Sequence, residues 1–157
     1  MQPDLKSEAD TASKERLRLW LRFLKASSTI EATLRENLRQ EFATTLPRFD
    51  VMAALSRYDE GLKMSQLSEV LRVSNGNVTG IVDRLSNDEF LVRVPVPGDR
   101  RASLVRLTKR GQEEFQKQAG AHEIWVNDML SAFSPDAARD ITRRLEQLEA
   151  SLQKEKV

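Results

Sequence analysis

One stretch, residues 64–110 (MSQLSEVLRVSNGNVTGIVDRLSNDEFLVRVPVPGDRRASLVRLTKR), leaves this chain few choices of fold, because two helix patterns run directly into two strand patterns. Ser65 can cap a first short helix whose Leu67, Val70 and Leu71 fall on one face. Val73 and Ser74 interrupt it, and Ser74 can cap a second helix in which Val78, Ile81, Val82 and Leu85 recur at i, i+3, i+4 and i+7. The opposite face of that second helix carries Asn75, Asn77, Thr79, Gly80 and Arg84, side chains suited to touching DNA. A helix pair with a tight turn and a polar second member fits a helix-turn-helix; by itself it fits an ordinary helical hairpin equally well.

The residues that follow decide between the two. Phe90–Val94 and Ser103–Leu107 are rich in Val, Leu and Phe and flank Pro95-Val96-Pro97-Gly98-Asp99-Arg100-Arg101, the pattern of a β-hairpin. Arg100 and Arg101 then sit at the root of a projecting loop, where a wing lying against a nucleic-acid backbone needs guanidinium groups. Gly61–Met64 can add a short edge strand. Helix, turn, helix and hairpin in this order make a winged helix, so the expected class is mainly α with a small β-hairpin.

Charge is placed accordingly. The whole chain carries only +1, but residues 72–110 hold eight basic and four acidic side chains, whereas residues 111–157 hold six and nine. Positive charge thus gathers around the wing, as a phosphate-facing surface requires. Cysteine is absent, which excludes disulfides, thiol redox sensing and thiolate metal sites. With no apolar run of membrane length and no secretion-type core near the N-terminus, a soluble cytoplasmic protein with no membrane partner is expected.

Residues 1–12 are polar and are expected to form a flexible N-terminus. A long helix follows over 13–43, with apolar positions Leu17, Trp20, Leu21 and Leu24 and then Ile30, Leu34, Leu38 and Phe42. At about 30 residues it would be about 45 Å long, too long for one small globule to cover. Pro47 opens a short apolar helix containing Phe49, Val51, Met52, Leu55 and Tyr58. Thr108 can cap a helix reaching about Leu130, and Ser134-Pro135-Asp136 is a strong start for a last one, with Ile141, Leu145, Leu148 and Leu152 spaced 4, 3 and 4. The expected organisation is a winged-helix lobe over 46–108, flanked by dimerisation helices over 13–43 and 109–157, in a homodimer.

Enzyme chemistry finds no support. His122 is the only histidine and is expected to be structural or at the surface, so no metal site, catalytic triad or glycine-rich phosphate loop can be assembled and no cofactor is expected.

Beyond pattern, the run GDRRASLVRLTKRG, with Asp99-Arg100-Arg101 followed by Leu107-Thr108, resembles the wing-and-exit signature of the MarR family of winged-helix transcription regulators. Val78-Thr79, Ile81-Val82-Asp83-Arg84-Leu85 and Leu46-Pro47-Arg48-Phe49-Asp50-Val51 resemble that family's recognition helix and second helix, and the likeness extends over roughly Leu17–Leu152. It implies a homodimer placing two recognition helices in successive major grooves of palindromic double-stranded DNA, about 34 Å apart. Asn75, Asn77 and Thr79 would face base edges, with Ser74 at the helix start, and Ser65 and Gln66 would hold a phosphate at the amide end of the preceding helix. Arg84 would bind phosphate or pair with Asp83 or Asp88. Arg100 or Arg101 would reach the minor groove or backbone. By the resemblance Asp99 orients a wing arginine through an ion pair, a simple turn role being the other reading.

The resemblance further implies a small organic effector, aromatic or phenolic, entering a pocket near Trp20, Phe23, Met52 and Trp125; simple packing also accounts for each. Arg16, Arg18 and Arg22 could hold an anionic ligand, such as an aromatic acid or its coenzyme A thioester, or pair with neighbouring acids. Three features depart from the family pattern: Gly80 where a larger or basic residue is usual, Glu89 in place of a helix-ending glycine, and Val94 and Val96, which make the wing unusually apolar. The expected function is a repressor released by its effector; the alternative is a winged-helix protein-interaction module that has lost DNA binding.

Overall fold

The computed structural model describes residues 5–71 and 75–156, with only the backbone of Leu5, Lys6, Asn75 and Gly76. The element order is α1 (Leu5–Phe42), α2 (Leu46–Leu55), β1 (Leu62–Lys63), α3 (Met64–Leu71), α4 (Asn75–Asn87), β2 (Leu91–Val96), β3 (Asp99–Leu107), α5 (Lys109–Met129) and α6 (Pro135–Lys154). Two compact units divide between His122 and Glu123.

In the first unit a three-stranded antiparallel sheet, ordered β1-β3-β2, closes against α2, α3 and α4. The predicted edge strand is present, pairing Leu62 with Val105 and Lys63 with Leu104. Side chains alternate across β3, so Val105 and Leu107 turn inward while Arg106 turns out. They meet Val51, Met52 and Leu55 of α2, Leu67 of α3, Val78, Val82 and Leu85 of α4, and Leu91 of β2 in one apolar core. The periodicity of α4 is thus realised as expected, with Val78 and Val82 fully buried and Ile81 at the margin. This is the winged-helix arrangement the sequence implies.

Helix boundaries depart from expectation at three places, the simplest being α2, which ends at Leu55 and leaves Tyr58 outside it. The first helix begins at Leu5 rather than Ser13, so the segment expected to be flexible up to residue 12 is helical from Leu5 onward. Its first turns are joined by local contacts: Thr11 Oγ1 donates to the Ser7 carbonyl at 2.9 Å and Lys14 pairs with Asp10 at 2.7 Å, one turn away. At 38 residues α1 is about 57 Å long. Only its C-terminal part is covered in the first unit, where Leu34 and Leu38 are buried next to α2; Leu17, Leu19, Trp20, Leu21 and Leu24 are 44–56% exposed.

Ser65 is not a cap either. Lys63 precedes α3, and the Gln66 side chain reaches back to accept the Lys63 backbone N–H at 3.0 Å, the return arm of a capping box. The caps expected at Thr108 and Ser134 form, and Thr45 adds one ahead of Pro47. Thr45 accepts the Arg48 N–H, Thr108 accepts the Gly111 N–H, and Ser134 accepts the Ala137 N–H.

Helix α4 ends without the expected glycine. Phe90 N–H donates to the Leu85 carbonyl at 2.9 Å and Glu89 N–H to the Ser86 carbonyl at 3.0 Å, which is a Schellman closure with Glu89 itself at φ +63°. Helix α5 docks directly on this turn: Thr108 N–H and Oγ1 donate to the carbonyls of Phe90 and Glu89 at 3.0 and 2.6 Å. Gly111 lies so close that a Cβ there would meet the Phe90 oxygen at 2.0 Å.

The second unit contains the end of α5 and all of α6. No residue of α6 is buried, and Ile141, Leu145, Leu148 and Leu152 are 37–52% exposed along one stripe.

Candidate nucleic-acid interface

With Val78, Val82 and Leu85 turned into the core, a rotation of about 100° per residue places Gly80, Asp83 and Asn87 near the middle of the solvent face of α4. Asn77 and Thr79 are exposed on its two flanks. The Gly80 position is open, with nothing within 4 Å of where a Cβ would stand. Asn77, Gly80, Ile81 and Arg84 form one wall of a groove of about 730 Å³, with Thr45, Pro47, Arg48 and Asp50 of the α2 start opposite. Ser74 lies outside the described residues, as does the Asn75 side chain.

Electrostatics sharpen this surface. Among the described residues, three ion pairs join different elements, and all three end on an acid in or just after the last turns of α4. Arg93 of β2 pairs with Asp83 at 2.6 Å, Arg48 of α2 pairs with Asp88, and Arg110 of α5 pairs with Glu89 at 3.2 Å while lying over the Phe90 ring. The acids that Arg84 could have used are therefore occupied. Among the described residues Arg84 itself is in no ion pair, so the expected pairing with Asp83 or Asp88 is not realised. Arg100, Arg101 and Arg106 are likewise exposed and, among the described residues, outside any ion pair, so α4 and the wing together present four unpaired arginines.

The wing differs in detail from the expected one. Its turn is the two-residue Pro97-Gly98, with Gly98 at φ +82°, and Asp99–Ala102 belong to β3. Arg100 and Arg101 therefore sit within a strand and not at the root of a loop. The ladder runs regularly from Leu91↔Leu107 to Pro95↔Ser103 and then jumps to Val96↔Asp99, leaving residues 100–102 with no opposite partner. A Pro-Gly pair suits a type II turn, whose twist does not match that of the strands, and a bulge beside it absorbs the mismatch. Asp99 Oδ1 accepts the Arg101 backbone N–H at 3.0 Å, and no ion pair joins Asp99 to either arginine. Asp99 thus holds the turn, and the expected wing ion pair is replaced by this shorter-range contact.

At the amide end of α3, Gln66 has its carbonyl oxygen engaged by Lys63, which leaves its amide hydrogens to face outward, while Ser65 is exposed beside it. The proposed effector residues scatter. Met52 is 1% exposed inside the winged-helix core, because it shares a helix face with Leu55, so it lines no open pocket in this chain. Trp20 is 55% exposed, Phe23 is half-buried, Arg16 and Arg22 are exposed, and Arg18 pairs with Glu15. Trp125 lies in the other unit and is half-buried.

Sequence reasoning passed over two features. His122 stacks on Phe49 with ring centroids 4.6 Å apart, and burial holds its pKa below the ordinary value. Asp50 is pushed upward by burial and by the charge of Glu31, with Arg35 opposing. Among the described residues there is no group of three or more acids and histidines that could hold a metal, and no helix long and apolar enough to cross a membrane.

Comparison with known proteins agrees with this geometry. The MarR family model matches residues 44–103. The uncharacterised HTH-type transcriptional regulator YkoM of Bacillus subtilis is 33% identical over 110 residues, 69% of each chain. The transcriptional activatory protein BadR of Rhodopseudomonas palustris is 29% identical over 89% of this chain and 79% of its own. Among solved structures, a MarR family transcriptional regulator from Silicibacter pomeroyi has a TM-score of 0.74 and 31% identity, covering 90% of this chain and 97% of its own. Sco3205 of Streptomyces coelicolor, a MarR family regulator solved in complex with DNA, has a TM-score of 0.78 at 20% identity, covering 90% and 89%. From α2 through the wing and across most of its length, this chain belongs to the MarR family of transcriptional regulators.

Proposed function

We propose that this regulator binds palindromic double-stranded DNA as a homodimer, represses transcription there, and is released by a small aromatic or phenolic effector. As a family member it is a regulator and not an enzyme. The observation that carries the DNA reading is the distribution of charge around α4: Asp83, Asp88 and Glu89 are each paired with an arginine of another element, while among the described residues Arg84, Arg100, Arg101 and Arg106 are in no ion pair and lie on the exposed, polar α4 face and the wing. Asn77 and Thr79 supply hydrogen-bonding groups at base-edge depth, with Asn75 ahead of them in sequence, and the outward amide of Gln66 suits a phosphate.

Release requires an effector that prefers the non-binding dimer shape; tight binding alone shifts nothing. Support for its chemistry comes from the aromatic and basic residues of α1, namely Trp20, Phe23, Arg16 and Arg22, which are exposed or half-buried in the single chain. An aromatic acid or its coenzyme A thioester fits that composition.

The test is binding of purified protein to the DNA upstream of its own gene at several salt concentrations, with and without a panel of phenolic acids, aromatic carboxylates and thioesters. The expected result is salt-sensitive, sequence-selective binding that one class of effector weakens. Binding that is absent, or indifferent to Arg101→Ala, would point to the interaction module instead. A promoter fusion reads the sign: expression that falls when the gene is removed would replace repression with activation.

A further inference from the structure

Asp83 stands near the middle of the α4 face that is offered to DNA, a position where a carboxylate would either accept from a cytosine amino group or repel phosphate. Its surroundings give it a different task. Leu91 and Arg93 lie on the same face of β2, because side chains alternate along a strand. That face packs on α4: Leu91 enters the core at 3% exposure, and Arg93, opposite the buried Val105, emerges at the edge of the core beside the helix. There its Nη2 meets Asp83 Oδ1 at 2.6 Å. Arg93 lies on the strand that leads to Pro97-Gly98, and three residues outward from it the ladder loses its regular pairing. The Asp83–Arg93 contact is therefore a side-chain tie between the recognition helix and the wing, placed just before the bulge that carries Arg100 and Arg101.

We propose that Asp83 and Arg93 are positioning residues for DNA binding: their ion pair sets the wing against the recognition helix so that the helix and the wing arginines engage one duplex together. Asp83 reads no base and Arg93 holds no phosphate. The pair is half exposed, at 57% and 43% for the two side chains, so it contributes little to folding and its loss leaves the lobe intact.

This rests on the DNA-binding reading, and the experiment separates the two. Operator affinity is measured for the full chain, for Asp83→Asn, for Arg93→Gln, and for each combined with Arg100→Ala and Arg101→Ala. Thermal melts confirm that every variant is folded. The expected result is that each single change weakens binding about fivefold, that Asp83→Asn with Arg93→Gln is no worse than either alone, and that the loss disappears once the wing arginines are gone. The slope of affinity against salt should be the same for Arg93→Gln as for the parent, and Arg93→Lys should restore most of the affinity. A slope lowered by about 1 would make Arg93 a phosphate contact and overturn the proposal. So would tighter binding by Asp83→Asn, or a loss that persists without the wing arginines, since either makes Asp83 act on DNA directly. If the parent chain binds no operator at all, the DNA reading fails first.

Discussion

Glu89 occupies a backbone conformation that residues with a Cβ avoid, at φ +63°, because two hydrogen bonds close α4 through it. Its side chain gains only an exposed ion pair with Arg110 in return. Glu89→Gly should therefore raise unfolding free energy by about 1 kcal/mol in urea titration, the relief of left-handed strain outweighing the added freedom of the unfolded chain. That the turn had to close without glycine was legible in the sequence; that the closure would be a strained Schellman turn was not, since it depends on where α5 docks. His122 gives a second residue-scale outcome. Burial against Phe49 lowers its pKa from 6.5, so the folded protein binds the proton less readily than the unfolded chain. Its contribution to stability is complete above the ordinary value and is lost as pH falls through the lowered one. His122→Gln should flatten the decline in melting temperature between about pH 7 and pH 5 that the parent shows. Gln66 and Asp99 illustrate why single-residue roles were harder to foresee. Gln66 was expected to hold a phosphate and Asp99 to pair with a wing arginine or serve the turn; the Lys63 and Arg101 backbone N–H groups they accept are visible only in the fold.

At the level of elements, periodicity carried most of the fold. The i, i+3, i+4 and i+7 apolar positions of α4, the alternation of β3 and the caps Thr108 and Ser134 were visible as patterns because each depends on neighbours within a turn or a strand pair. What stayed hidden were relations between elements: the bulge at 100–102, the three ion pairs converging on α4, and the contact of α5 with the Phe90 turn. That last contact is tight. In Gly111→Ala the new methyl would stand 2.0 Å from the Phe90 carbonyl oxygen, a backbone atom that cannot step aside. The substitution should cost at least about 2 kcal/mol, as overpacking does, despite the better helix propensity of alanine. A melt that is unchanged would mean that α5 can slide off the turn. Arg84 tests the recognition helix itself. As the unpaired cation on the groove wall of α4, it should neutralise a phosphate, so Arg84→Ala should lower the salt slope of binding by about 1 and weaken all sequences alike. A loss confined to one base position would make it a base-reading residue instead.

For the whole molecule, the two units pose the same question separately. In the first, α1 exposes Leu17, Leu19, Trp20, Leu21 and Leu24 within two turns; in the second, α6 buries nothing and exposes a stripe from Ile141 to Leu152. Apolar surface this continuous is rarely left to water by a folded protein. A first helix too long for one globule, though not its start at Leu5, and the 4, 3, 4 spacing in α6 were plain in the sequence and already implied a partner, whereas which residues cover which could not follow from spacing alone. In the proposed homodimer a second copy of this chain would cover each face and supply the second recognition helix that a palindromic site needs. The stripe on α6 then has a sharp consequence. Leu145→Glu with Leu148→Glu leaves every buried position of the chain untouched, so the lobe should keep its fold and its circular dichroism. In sedimentation the parent should run at twice the chain mass and the variant at the chain mass. Operator affinity should fall by about 100-fold or more, because each half-site is then bound without the effective concentration that the linked second lobe provides. A variant that stays dimeric would move the interface off α6 to the exposed leucines of α1, and Leu17→Glu with Leu21→Glu would then be the substitution that yields a monomer.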